Sequence, residues 1–144
     1  MFQASEADFQ NTMLSLQTTG DDMAQTLRQF SERFLRLLYS PDVMSVRRLL
    51  VSEGGRSNIG QRCWEMGPAR GNAVVMEFLQ QAIERKLLRK ADTEVMLHQL
   101  TALLESELLP RFMFQHLPAP TTQEIVQCSQ RAVDTFLRAY GPTT

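Results

Sequence analysis

Thr121-Thr122-Gln123-Glu124-Ile125-Val126-Gln127-Cys128-Ser129-Gln130-Arg131-Ala132-Val133-Asp134-Thr135-Phe136-Leu137-Arg138-Ala139-Tyr140-Gly141-Pro142 closes the chain but for two residues. Its first four residues have the pattern of a capping box, in which the Thr121 hydroxyl and the Glu124 carboxylate satisfy each other's free backbone N–H groups. Gly141 stands where a helix places its C′ residue, and Pro142 beyond it cannot continue the helix. Start and stop agree on one long helix. Projected at about 100° per residue, its apolar arc covers about half the circumference, from Cys128 and Ala139 through Ile125, Phe136 and Tyr140 to Val126 and Leu137. One neighbour does not need so wide an arc. Within it Cys128, Ala132, Thr135 and Ala139 form a stripe of small residues along which a second backbone can approach closely.

The preceding segment has the same double character. Asp92 or Thr93 caps a helix expected to reach at least Leu109, with Pro110 bending it. Leu97, Leu100, Leu103, Leu104 and Leu108 make one face, and Val95, Ala102 and Leu109 recur on nearly the opposite side. Between the two helices His116-Leu117-Pro118-Ala119-Pro120 reads as a loop, because paired prolines exclude helix. Two helices with two faces each suggest a four-helix bundle shared by two protomers about a twofold axis. That makes Val95, Ala102, Leu109, Cys128, Ala132, Thr135, Phe136 and Ala139 the expected dimer interface; a bundle closed within one chain is the alternative.

Upstream the period stays helical. A first helix is expected over about residues 4–18, with Phe9, Met13 and Leu16 on one face, ending near Gly20; Asp21 and Asp22 suit the cap and first turn of the next. That second helix runs to about Tyr39 with Met23, Leu27, Phe30, Phe34 and Leu38 on one stripe. Ser40-Pro41-Asp42 then supplies an N-cap, an N1 proline and an acidic first turn for a third helix, which stops at Gly54-Gly55. A fourth stretch reads from about Asn58 to Leu88, broken or kinked at Gly67-Pro68. Beyond the break Ala69, Ala73, Met76, Ile83 and Leu87 face one side and Val74, Val75, Phe78 and Ala82 the other, so this is expected to be the central helix, enclosed on both faces. No run alternates for long enough to read as a strand, and the fold class is all-α, with about six helices.

Composition narrows the function. The chain has 144 residues, the size of one domain, and carries 15 Lys and Arg against 16 Asp and Glu, a net charge of −1. No basic tract tracks a phosphate backbone, so this segment alone is not expected to bind nucleic acid. No window approaches the ~20 uncharged apolar residues that span a bilayer, and the N-terminus lacks the pattern of a signal peptide, so a cytoplasmic location is expected. Cys63 and Cys128 stand among apolar neighbours outside any zinc or redox spacing and read as reduced core thiols. Glu94 and His98 are four apart, not the Glu-x-x-His spacing of di-iron bundles, and no nucleophilic or glycine-rich catalytic motif occurs. A metal, a cofactor or catalysis is therefore not expected.

Four blocks, in order, carry a resemblance: Ser40-Pro41-Asp42, Arg48-Leu49-Leu50-Val51-Ser52-Glu53, Glu65-Met66-Gly67-Pro68-Ala69-Arg70 and Ala132-Val133-Asp134-Thr135-Phe136-Leu137-Arg138-Ala139-Tyr140-Gly141. Over residues 21–141 the chain resembles the C-terminal domain of TetR/AcrR-type transcriptional regulators, and within them the AefR-like subgroup. The resemblance implies a tetracycline-repressor C-terminal-domain-like bundle that encloses a small effector and dimerises through its last two helices. It also implies an N-terminal helix-turn-helix that this sequence lacks, so that residues 1–20 read as the linking helix following a missing DNA-binding domain. The intact regulator is then expected to be a repressor whose effector alters its affinity for DNA, with a standalone helical adaptor module as the alternative.

The candidate effector contacts are Phe34, Arg47, Trp64, Met76, Phe78, Leu100 and Glu107. The aromatic side chains and methionines suit an apolar or aromatic effector, although such stripes are more often plain core. Arg47 falls on the apolar face of its helix, where a guanidinium wants a carboxylate or an anionic ligand, or keeps its head in water. Glu107 lies within the leucine face, and Arg111, four residues on, is its expected intrahelical partner.

Overall fold

A computed structural model of the chain describes residues 2–17 and 22–142. Among them lie eight helices and no strand: α1 (Phe2–Leu14), α2 (Met23–Leu38), α3 (Pro41–Glu53), α4 (Ile59–Met66), α5 (Pro68–Glu84), α6 (Thr93–Glu105), α7 (Leu109–Phe114) and α8 (Thr122–Tyr140). The helix starts follow from side chains able to accept the free N–H groups of a first turn. The Asp22 carboxylate accepts from the Gln25 N–H at 3.1 Å, Ser40 Oγ from Val43 at 3.5 Å with Pro41 just behind it, and Asp92 from Glu94 and Val95. At α8 both halves of the capping box form: Thr121 Oγ1 accepts from Glu124 N at 3.1 Å, and Glu124 Oε1 accepts from Thr121 N at 3.0 Å. The proposed stop at Gly20 and cap at Asp21 lie outside the described residues.

The core forms where α8 lies against α2 and α6. Leu27, Phe30 and Leu35 from α2, Met96, Leu97, Leu100 and Leu104 from α6, and Ile125, Val133 and Phe136 from α8 are almost wholly withdrawn from water. Ser31 of α2 and Ser129 of α8 are also fully buried, and neither hydroxyl has a hydrogen-bond partner. Small side chains at these positions let the two helices approach, at the cost of two desolvated hydroxyls. α5 adds Gly71, Val75, Leu79 and Ala82, and a Cβ on Gly71 would lie 3.3 Å from the Phe9 ring and 3.4 Å from the Met13 methyl, so α1 rides close over that glycine. The far end of α8 is tied down as well, because Arg89 donates from its backbone N–H to the Tyr140 carbonyl and from Nε to that of Gly141, both at 2.8 Å.

Several expectations need correcting. The helix starting at Thr93 ends at Glu105, not at or beyond Leu109: Pro110 has no N–H to give to the preceding turn, so the chain breaks at 106–108 and restarts as α7. α5 ends at Glu84 rather than near Leu88, because Lys86 adopts φ 62° and the N–H groups of Leu87 and Leu88 both turn back to the Ala82 carbonyl. It is not the central helix either; it has one buried seam, Ala73 on its other side is exposed, and α8 takes the central place. The buried face of α2 is rotated toward Ser31 and Leu35, leaving Phe34 and Leu38 half-buried. Gly141 is extended at φ −62° rather than left-handed; what excludes a side chain there is the Leu137 carbonyl, 2.5 Å from where a Cβ would sit.

Candidate functional site

α3 and α4 differ from the rest of the molecule. Neither contains a buried residue, although together they carry Val43, Met44, Val46, Leu49, Leu50, Val51, Ile59, Cys63, Trp64 and Met66. Met44 packs against the core, and the rest of what fastens α3 is largely polar. Arg47 donates through Nη2 to Glu105 Oε1 at 2.6 Å, and the same oxygen accepts from the Tyr39 hydroxyl at 2.8 Å. The Arg47 guanidinium also lies 4.7 Å from the centre of the Phe112 ring and 5.3 Å from that of Tyr39, both within cation–π range. Arg48 stacks on Phe112 too, at 5.3 Å, and donates to its carbonyl at 3.4 Å. Burial, together with the neighbouring Glu105 carboxylate, pushes the Tyr39 phenol above its ordinary range, so it stays protonated and able to donate.

The expected effector residues lie at different depths in the fold. Phe34, Met76 and Phe78 are half-buried against the core, with the Phe34 ring stacked 5.7 Å from that of Phe30. Leu100 is entirely inside the core, where it is inaccessible to a ligand without repacking. Trp64 is 49% exposed on α4. Arg47 has its carboxylate in Glu105, a residue far away in sequence. Glu107 does not pair with Arg111, because the break at 106–108 removes the helical spacing on which that pair depended. Instead Arg131 of α8 grips Glu107 with two hydrogen bonds of 2.7 and 2.8 Å, and Arg111 pairs with Glu124. The Arg131 hydrogen bonds hold the Glu107 carboxyl below its usual range, and Arg111 does the same more strongly to Glu124, at about 2.

A groove of about 390 Å³ opens on the outer side of α6 and α7, lined by His98, Thr101, Ala102, Glu105, Ser106, Leu109, Pro110 and Met113. None of the seven expected effector residues lines it, whereas Ala102 and Leu109 had been read as interface residues. The interface expectation itself divides. Val95 and Leu109 are 45% and 38% exposed, and Ala102, Thr135 and Ala139 also face solvent. Cys128, Ala132 and Phe136 are buried within the chain, so the small-residue stripe of α8 serves an internal contact over half its length. Burial pushes the Cys128 thiol up and keeps it protonated, whereas Cys63, on α4, is only half-buried and is not a core thiol.

Tyr39, Glu105 and Phe112 were not foreseen. Glu105 is two residues before Glu107 and on a helix projects about 200° from it; it is the last residue of α6 and pairs with Arg47, whereas Glu107, in the break, pairs with Arg131.

This all-helical architecture, with α8 packed against α2 and α6, is shared with TetR-family transcription regulators. Three solved structures share it: a TetR-family regulator from Mesorhizobium loti MAFF303099 (TM-score 0.81, 22% identity, 96% of this chain and 68% of that one), the flavonoid-responsive regulator FrrA (0.75, 22%, 97% and 74%), and a TetR regulator from Agrobacterium tumefaciens (0.70, 24%, 83% and 60%). At these identities the likeness is one of fold. No curated protein sequence matches the chain. Residues 25–142 match the family described as the AefR-like transcriptional repressor, C-terminal domain, and the chain belongs to that family. Among the described residues no helix is long and apolar enough to cross a membrane.

Proposed function

We propose that this domain senses a small apolar or aromatic molecule and forms a homodimer, so that in an intact cytoplasmic regulator the ligand changes the spacing of two DNA-binding units and lifts repression. The observation that carries this reading is the α3–α4 layer: ten apolar side chains on two helices, none of them buried. Such a layer has apolar surface still to give up, and a ligand that closes it against Phe34, Met76 and Phe78 gains that burial. Only a ligand that favours the closed arrangement over the open one shifts the equilibrium. Ala102 and Leu109, which line the groove with Met113, and the exposed Val95, Thr135 and Ala139 are the side chains offered to a second copy.

A flavonoid is the first probe to use, because one structurally similar regulator responds to that class. Trp64, the single tryptophan, sits on α4 and reports on closure of the layer. Saturable quenching or a blue shift of its emission, with a dimer mass and added ligand mass in native mass spectrometry, supports the sensor. A ligand-free monomer whose tryptophan ignores a broad panel of aromatic compounds overturns it. That result would favour a helical adaptor using the α6–α7 groove for another protein.

A further inference from the structure

α7 is six residues long, buries none of them, and is nevertheless held on both sides by directional contacts. On one side Arg47 and Arg48 of α3 close over the Phe112 ring. On the other, Arg111 reaches α8: its Nη1 donates to Glu124 Oε1 at 3.3 Å and to the Pro118 carbonyl at 3.4 Å, and its Nη2 to Glu124 Oε2. Glu124 is the residue whose carboxylate also completes the α8 cap, so the start of α8 is anchored to α7 through one side chain. At its own start α7 has a proline break, and Arg47 spans that break, gripping Glu105 before it and Phe112 after it.

We propose that α7 is a hinged strut linking the loosely held α3 to the first turn of α8 and the end of α6, with Arg47 as its joint. The physical argument is one of stiffness. A helix positioned by packing resists displacement through many small contacts, whereas α7 has no buried residue: Phe112 packs against the edge of the core, and the directional contacts run to Arg47 and Arg48 of α3, to Glu124 of α8 and to the Pro118 carbonyl. Moving α3 by the breadth of a side chain moves the guanidinium that holds both arms of the hinge, and the strut must follow or let go. Successive residues 111 and 112 project about 100° apart on a helix, which is how one short segment reaches two partners. For the effector reading above, the strut supplies the path from α3 to the helices offered as the dimer surface, yet it makes no use of a ligand. A chain that ignores every effector can still have it.

Hydrogen exchange on the full chain, alone and ligand-free, tests it. In Arg47→Met, exchange is expected to quicken about tenfold at 109–115 and in the first turn of α8, residues 122–126, while 130–140 and α2 keep their protection. Arg47→Lys keeps a cation for Glu105 but not the flat guanidinium over Phe112, and is expected to fall between. Because coupling is reciprocal, Arg111→Met should quicken α3 around residues 45–49, which Arg111 does not touch. The strut is overturned if the Arg47 variants change α3 alone, if Arg111→Met leaves α3 silent, or if exchange rises equally in every helix. Should Arg47→Met fail to fold, Arg47→Lys and Arg111→Met decide the matter by themselves.

Discussion

α8 and the α3–α4 pair carry similar numbers of apolar side chains and meet opposite fates. α8 fully buries Ile125, Cys128, Ser129, Ala132, Val133 and Phe136, while α3 and α4 fully bury no side chain and hold Val43, Met44, Leu50, Ile59 and Cys63 only half-buried. The difference is one of neighbours. α8 lies against both α2 and α6, whereas α3 and α4 lie over the others from one side. At about 1.5–3 kcal/mol for each large apolar side chain fully withdrawn from water, stability resides in the α2–α6–α8 core. The α3–α4 layer, with no fully buried side chain, contributes less of it.

The comparison breaks most visibly at Ala132, which is 4% exposed. Ala132→Arg forces an unpaired charge into the core, and we expect loss of the cooperative helical signal in circular dichroism rather than a folded monomer. A folded Ala132→Arg monomer would return this residue to the dimer surface. Next come paired truncations measured by urea unfolding. Phe136→Ala should cost about 3–5 kcal/mol, and Trp64→Ala about 0.5 kcal/mol or less; similar values for the two would erase the distinction between core and layer. Acid provides a third test. The Glu124 carboxyl, ordinarily near 4.5, is held at about 2 in the folded chain, so its contribution is complete above about 4.5 and is lost as pH falls toward 2. Glu124→Gln should lower stability at neutral pH and flatten the acid limb, so that the two proteins converge as pH falls toward 2. The smallest effect sharpens the account of the core: Ser129→Ala removes a buried hydroxyl without a partner and should stabilise by about 0.5–1 kcal/mol.

Much of the fold was legible because its signals are local. Ser40, Asp92 and Thr121 each cap the helix assigned to them, and Asp22 caps α2 one residue after the expected Asp21, since a cap needs only a short side chain and the next three residues. The breaks at Gly67-Pro68 and before Pro110 came from a missing N–H, although the second fell earlier than expected. The site was far less legible. Arg47 was correctly singled out as a guanidinium in need of a carboxylate, but its partner Glu105 comes from another helix and Tyr39 and Phe112 complete the cluster. Glu107 was assigned its partner by helical spacing, and that spacing ended two residues too soon.

The amino-acid order determined that the chain is helical, through the period of its apolar residues, and where most helices begin and stop, through hydrogen-bond donors and acceptors a few residues apart. Only the tertiary structure decided which of two apolar faces is core and which is surface. Cys128, Ala132 and Phe136 went inward while Val95, Ala102 and Leu109 stayed outside. A periodic stripe records that a helix has a partner, but not whether that partner is its own chain or another, because the free energy of burial depends on the apolar area removed from water and not on what removes it.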